Sequence, residues 1–342
     1  MRNHRTEKTM TTTTTARPPV PHRLVTSLWN LAVPAALVGA TALWAWTERA
    51  RLPEPLAVHW GTEGPDRAGT FTELVTLPLA VVAPLFTLAM WALAFFLGHA
   101  ALTRRIAAAS SVWCAAMVSG VTATTIAVQL DAPDWTAAGD LALGSLLSAV
   151  GATALAALAA WLSPGDAPQP TSEPLPAGTA RLELGEHELA SWVRPVQQAG
   201  LGWLTALIVA LCTVLGLATR SWAAALVLAV TLSIPLLGLT AWTVTVDRRG
   251  LTVASRLGRP RLLVPLEEIE RVGVREVNPV REFGGWGVRT SVTTGSTGVV
   301  LRSGEAIEIH RTGGRRFLVT VDDAERGAAL LATLAERGRR PA

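Results

Sequence analysis

LVTLPLAVVAPLFTLAMWALAFFLG, Leu74–Gly98, holds no Asp, Glu, Lys, Arg or His. A bilayer core is crossed by about 20 consecutive apolar residues wound as a helix. This stretch is long enough, and it decides the class: an integral membrane protein. Five further blocks share the property, Leu24–Thr47, Ile106–Leu130, Leu141–Gly165, Pro195–Thr219 and Ser221–Val246. Six transmembrane helices are therefore expected. The fourth and fifth should be shorter than their blocks, which begin or end in Gly, Pro or Gln. The first block follows a basic tail and contains Ala40-Thr41-Ala42, which looks like a cleavage site. A signal-peptide core is only about 7–15 residues, so the block reads as a retained helix.

Bulk composition agrees. Of 342 residues, 50 % are hydrophobic and 16 % charged, with a mean hydropathy of +0.36. A soluble domain usually carries about 25 % charged residues. The deficit excludes a disordered chain and argues against an ordinary soluble enzyme. Formal net charge is +4, and Lys8 is the sole lysine. From Asp247 onward there are 17 Arg against 12 Asp plus Glu. Beside a bilayer that excess reads as a surface facing anionic lipid, or simply as a solvated face. Cys114 and Cys212 fall inside apolar blocks and read as small buried hydrophobes. High Ala, Gly, Pro and Arg with one Lys point to a GC-rich bacterium.

Arginines set the orientation. The N-terminal tail carries Arg2, Arg5, Lys8, Arg17 and Arg23, the loop after the second block Arg104 and Arg105, and the loop after the fourth Arg181 and Arg194. The other side carries Arg49, Arg51 and Arg67, then Asp131 and Asp134 without a base, then Arg220. The positive-inside rule places both termini in the cytoplasm of a multi-pass cell-membrane protein. Trp29, Trp44, Trp46, Trp135, Trp161, Trp203, Trp222 and Trp242 lie near block ends, where indole rings favour the headgroup level. Trp91 and Trp113 lie deeper and read as packing residues.

The expected organisation is a disordered basic tail (1–22), a four-helix membrane domain (23–162) with an extracytoplasmic loop (48–73), a cytoplasmic linker (163–199), a two-helix membrane hairpin (200–243) and a cytoplasmic domain (244–338). The linker is rich in Pro, Ser and Ala to about Gly178 and is expected not to order. Arg181–Leu184 and Glu188–Val193 then suggest a short hairpin.

In the last domain the pattern changes to short strands and Gly turns: Thr243–Asp247, Leu251–Ser255, Arg261–Pro265, Ile269–Glu276, Val288–Val292, Thr297–Leu301, Ala306–His310 and Phe317–Val321. A helix to about Arg337 follows, capped by Asp322 or Asp323, with Ala328, Leu331, Leu334 and Ala335 facing inward. This order resembles a pleckstrin-homology-like barrel, especially the small bacterial versions beside transmembrane helices. Phe283–Arg289 looks like a loop of those relatives. The resemblance covers about 100 residues and implies a binding or scaffolding module with a protein or lipid partner. Trp286 and Arg289 are the candidate contacts. The competing reading of Gly284-Gly285-Trp286-Gly287 is a tight barrel corner filled by Trp286.

The outer loop carries the other motif. Pro53 and Pro55 enforce an extended entry, Val58-His59-Trp60 suits a short strand, and Gly61, Gly64-Pro65 and Gly69 impose turns. Leu52-Pro53, His59-Trp60, Gly64 and Asp66 resemble a domain of unknown function at the head of SdpI-like bacterial toxin-immunity and signalling membrane proteins. The match covers about 75 residues, and Thr70 stands near where that family carries a basic residue. The resemblance implies immunity or signalling, with His59, Trp60, Glu63, Gly64 and Asp66 as candidate binding residues. Three chemistries suit His59: a metal site with Glu63 and Asp66, a pH-responsive contact, or hydrogen bonds that hold the loop.

Other classes are poorly served. The blocks hold no ionisable group, against a coupled ion transporter. No nucleophile–base spacing, HExxH or phosphate loop occurs, so neither an enzyme nor a cofactor is expected. Nothing points to nucleic acid. The expectation is a non-enzymatic binding or sensing protein, the alternatives a transporter of an apolar substrate or a membrane scaffold. Oligomeric state is not legible.

Overall fold

The structure is a computed structural model. It describes residues 19–339 apart from 62, 186–187, 198–200, 220–228, 230–240, 257, 259–260 and 292. The tail to residue 18 and most of the sixth apolar block, Trp222 included, lie outside the described residues.

Among the described residues, four helices are long and apolar enough to cross a membrane. They are α1 (Arg23–Thr47), α2 (Thr72–Leu97), α3 (Ala101–Ala127) and α4 (Ala142–Leu162). Large apolar side chains such as Leu43, Leu85, Phe96 and Leu147 point outward from them, as lipid solvent permits. Small residues let the helices meet. A Cβ at Gly144 would stand 2.2 Å from Thr124 Cγ2, and one at Gly120 would stand 2.7 Å from Ser148 Oγ. That close approach joins α3 to α4. Asn30, fully buried in α1, donates to the Thr26 carbonyl at 2.8 Å and accepts from Ser111 of α3 at 2.8 Å.

The loop between α1 and α2 forms a hairpin of β1 (Leu56–Gly61) and β2 (Gly64–Gly69). The first strand matches expectation. The second, Gly-Pro-Asp-Arg-Ala-Gly, has no strand pattern and is held by its pairing with β1. A fifth apolar helix, α5 (Leu201–Thr219), lies later in the chain.

The last third of the chain is sheet-rich. Its strands are β3 (Trp192–Gln197), β4 (Ala241–Asp247), β5 (Gly250–Ser255), β6 (Arg261–Pro265), β7 (Ile269–Val277), β8 (Gly287–Thr290), β9 (Thr297–Val300), β10 (Gly304–Arg311) and β11 (Arg315–Thr320). A short α6 (Pro279–Phe283) interrupts them and α7 (Ala324–Arg337) follows. One sheet has the order β3-β4-β5-β6, the other β7-β10-β11-β9-β8. All pairs are antiparallel except β9 with β11. Their shared core holds Trp242, Val253, Ile269, Ile307, Val319 and the inner face of α7, including Ala328, Leu331, Leu334 and Ala335. Gly250 must be glycine: its φ is +121°, and a Cβ there would lie 2.0 Å from the Val264 carbonyl.

Several expectations are corrected. The strand expected at Thr243–Asp247 is β4, but it begins at Ala241, inside the sixth apolar block, because Trp242, Val244 and Val246 alternate into the sheet core. Trp242 is thus a core residue, 1 % exposed, and no headgroup anchor. Pro195–Gln197 belongs to β3 and not to a helix. Among the described residues of 181–193 no hairpin pairing is present, and β3 pairs with β4 instead. Leu182 joins Thr333 of α7, its amide donating to Thr333 Oγ1 at 2.9 Å and its carbonyl accepting at 3.1 Å. The linker is ordered: Thr171 donates to the Glu267 carbonyl at 2.7 Å, and Leu175 is buried in the sheet core. Asp323 stands at the N-cap of α7 but does not cap it. Its carboxylate takes the Arg194 guanidinium at 2.7 Å and the Trp192 indole at 3.3 Å.

Candidate functional site

The β1–β2 hairpin is fastened to the helices. Leu56 and Ala57 are buried, and the Gln129 amide, fully buried just past α3, mimics a neighbouring strand. Its Oε1 accepts from the Ala57 amide at 2.7 Å while its Nε2 donates to the Ala57 carbonyl at 3.0 Å. Trp60, half-buried, donates from its indole to the Gly139 carbonyl at 2.9 Å. Arg51 ties the loop entry to Asp131, whose amide returns a bond to the Arg51 carbonyl at 2.9 Å. That guanidinium, through its side-chain hydrogen bond, holds the Asp131 carboxyl below its ordinary value. Thr70 does what a helix start needs: its hydroxyl accepts from the Glu73 amide at 3.2 Å. Glu73 in turn takes Arg67 at 2.6 Å.

The candidate binding residues divide. His59 and Asp66 come together, Nδ1 to Oδ1 at 2.5 Å, both exposed. Gly61 makes room for this pair, since a Cβ there would meet Asp66 Oδ2 at 2.7 Å. Glu63 is exposed at the tip and does not join them. Gly64, with φ +121°, supplies the backbone turn. Among the described residues no three His, Cys, Asp or Glu side chains converge as metal ligands.

Between the hairpin and the helices lies a cavity of about 640 Å³. Leu74, Leu77, Pro78, Met117, Val118 and Val121 give it apolar walls, while His59, Trp60 and Arg67 of the hairpin and Glu73 at the start of α2 line its rim. An apolar recess with a polar rim suits an amphiphile.

At the opposite end of α3 lies a buried polar junction. The Arg104 side chain is 2 % exposed. Its Nη1 donates to the carbonyls of Gly98 and His99, at 2.7 and 3.3 Å. Its Nη2 reaches Pro164 and Gly165 carbonyls, at 3.2 and 3.3 Å, and Asp166 Oδ1 at 3.1 Å. One guanidinium thereby satisfies carbonyls after α2 and after α4, which their helices leave without partners. Asp166 also accepts from the Ala101 amide at 2.8 Å, capping α3 from outside. Its second oxygen lies 3.5 Å from Arg315, which binds Glu268 at 3.0 Å. Glu268 also takes Arg311 at 2.5 Å. Thr103 completes the contact, its hydroxyl 2.7 Å from that of Thr290 and 3.1 Å from that of Thr297.

Sequence reasoning missed this junction. Arg104 was legible only as a loop charge, and Asp166 sat in a segment without pattern. The second candidate loop gives a smaller result. Trp286 is 49 % exposed, so it fills no corner of the sheet domain; Phe283 is the buried aromatic of this segment, packed with Val277, Val300, Ala306 and Leu318. Arg289 Nε donates to the Trp286 carbonyl at 3.0 Å and fixes the loop locally. No family model, curated protein or solved structure matches the chain.

Proposed function

We propose that this chain is a non-enzymatic, multi-pass protein of a bacterial inner membrane that binds a membrane-active amphiphile on its outer side, in an immunity or signalling role. The observation that carries the reading is the apolar cavity of about 640 Å³ roofed by the His59–Asp66 hairpin. A peptide toxin or a lipid-like molecule has the apolar body and polar end that such a recess takes.

In this reading the chain crosses six times and keeps both termini and the sheet domain in the cytoplasm. The pairing of Gln197 with Ala241 supports the last two crossings. If α5 crosses, the chain must cross back before Ala241 to make that pair. The sheet domain is read as pleckstrin-homology-like, supported by two sheets over one core with a C-terminal helix; the parallel β9–β11 pair is a departure. Trp286 and Arg289 remain its candidate partner contacts.

The test is survival of bacteria expressing the chain against a panel of membrane-active peptides, at matched membrane levels. The variants are His59→Ala/Asp66→Ala and Val121→Phe, the second filling the cavity. Protection lost in both supports the reading. Protection by neither wild type nor variants, with accumulation of an apolar solute in vesicles, would favour a transporter.

A further inference from the structure

A second cavity, of about 600 Å³, lies between the start of α3 and the edge strand β6. Five arginines and three carboxylates line it. Arg311 and Arg315 are occupied by Glu268 and Asp166. Arg105, Arg261 and Arg316 are different: none has a carboxylate within ion-pair distance among the described residues. Arg105 donates from Nε to the Ser163 carbonyl at 3.2 Å, leaving the end of its fork open. Arg261 and Arg316 feel Asp247 and Glu308 only through space. Three open guanidinium groups around one recess repel each other unless an anion joins them. Their planar forks match phosphate oxygens.

Apolar groups decide which phosphate. Leu263, between Arg261 and the rest of β6, is 44 % exposed, and Ile106, next to Arg105, is 40 % exposed. Leu102 and Leu262 line the recess. Free phosphate would satisfy the arginines and leave these side chains in water. A phospholipid covers both, its head on the guanidinium groups and its first acyl segment on the leucines.

We infer that this cavity holds the headgroup of an anionic phospholipid, bound jointly by the first turn of α3 and the sheet domain. The inference rests on the proposal that α3 begins at a membrane surface. It is separate from the outer cavity and from the Trp286–Arg289 loop.

The experiment uses the full chain in detergent with equal amounts of phosphatidylglycerol and phosphatidylcholine, and native mass spectrometry to count retained lipid. Wild type should retain phosphatidylglycerol in preference. Arg105→Gln/Arg261→Gln/Arg316→Gln should lose that preference by about tenfold or more, on the usual strength of basic side chains at anionic lipid. Arg248→Gln/Arg281→Gln/Arg326→Gln removes the same charge from exposed positions elsewhere and should keep it. Equal loss in both triples would overturn the site in favour of bulk charge. Displacement of the lipid by millimolar glycerol phosphate, with Leu263→Asn binding both as well as wild type, would overturn the lipid in favour of a soluble phosphate compound. Carbonate-resistant membrane retention is measured alongside. A chain that inserts normally but shows no lipid preference overturns this site alone, and a chain that does not insert overturns the membrane reading itself.

Discussion

Replacing Arg104 by Met should detach the sheet domain from the helices without unfolding either. Methionine keeps the length and the apolar stem but removes every donor. Five acceptors lose the guanidinium: the carbonyls of Gly98, His99, Pro164 and Gly165, and Asp166 Oδ1. Removing one partner of a buried ion pair costs about 3–5 kcal/mol. Two facts favour the lower end. Asp166 keeps the Ala101 amide and its approach to Arg315, and Arg104 Nε is already unpartnered in the wild type. A loss of about 3 kcal/mol raises the population of the opened junction about two orders of magnitude. When opening is fast compared with cutting, proteolysis follows that population. The assay is limited proteolysis of the full chain in nanodiscs, following cleavage within 163–171. Arg104→Lys should fall between, since one ammonium cannot serve both carbonyl clusters in fixed geometry. Cleavage of the Met variant within a factor of three of wild type would refute the reasoning.

Gln129→Leu should leave the buried Ala57 amide and carbonyl without partners, at about 1–3 kcal/mol each, and speed amide exchange in β1; unchanged exchange would remove Gln129 from the docking. Asp131 titrates below its ordinary value in the folded chain, chiefly because of the Arg51 hydrogen bond, so its contribution is full at neutral pH and fades as pH falls through that lowered value. Protection of the hairpin should therefore weaken on acidification, and Asp131→Asn should remove that pH dependence. Gly144→Ala would set a Cβ 2.2 Å from Thr124 Cγ2 and force α3 and α4 apart, costing about 1–3 kcal/mol and lowering the apparent melting temperature in detergent. Gly151→Ala on the same helix meets nothing within 4 Å and should be neutral.

Regular elements were legible in the sequence because each carries its own period. Arg261–Pro265 matches β6 to the residue, and the inner face of α7 follows from its 3.6-residue spacing. Failures have physical causes. The strand expected over Thr243–Asp247 forms, but its first residues, Ala241 and Trp242, read as membrane because a strand start that lacks charge looks like the end of an apolar helix. β2 is invisible because Gly64, Pro65 and Asp66 have no strand preference and owe their conformation to β1. The linker looked disordered by composition, yet its order comes from partners far along the chain, Glu267 and Glu268. Of the candidate site, His59 and Asp66 were legible as motif residues, but their direct contact was not, because it depends on the β1–β2 pairing. Nor was the cavity beneath the hairpin, since Met117, Val118 and Val121 come from a helix outside the motif.

Both polar assemblies sit on the same element. Thr103 and Arg104 open α3, and Gln129 follows directly on its last turn. A helix of 27 residues is about 40 Å long. The hairpin side and the sheet side are therefore joined through one continuous rod, packed along α4 through Gly120 and Gly144 and free of internal proline. A rod transmits a change of tilt or register better than a chain of loops. Coupling of two sites through one element is reciprocal in free energy. If a ligand in the hairpin cavity tilts α3 to loosen the Arg104 junction, breaking that junction must change the affinity for that ligand by the same factor. Val121→Phe, which fills the cavity beneath the hairpin, should then alter cleavage within 163–171, and Arg104→Met should alter amide exchange in β1. An effect in one direction only would show that the two ends share a helix but not an equilibrium.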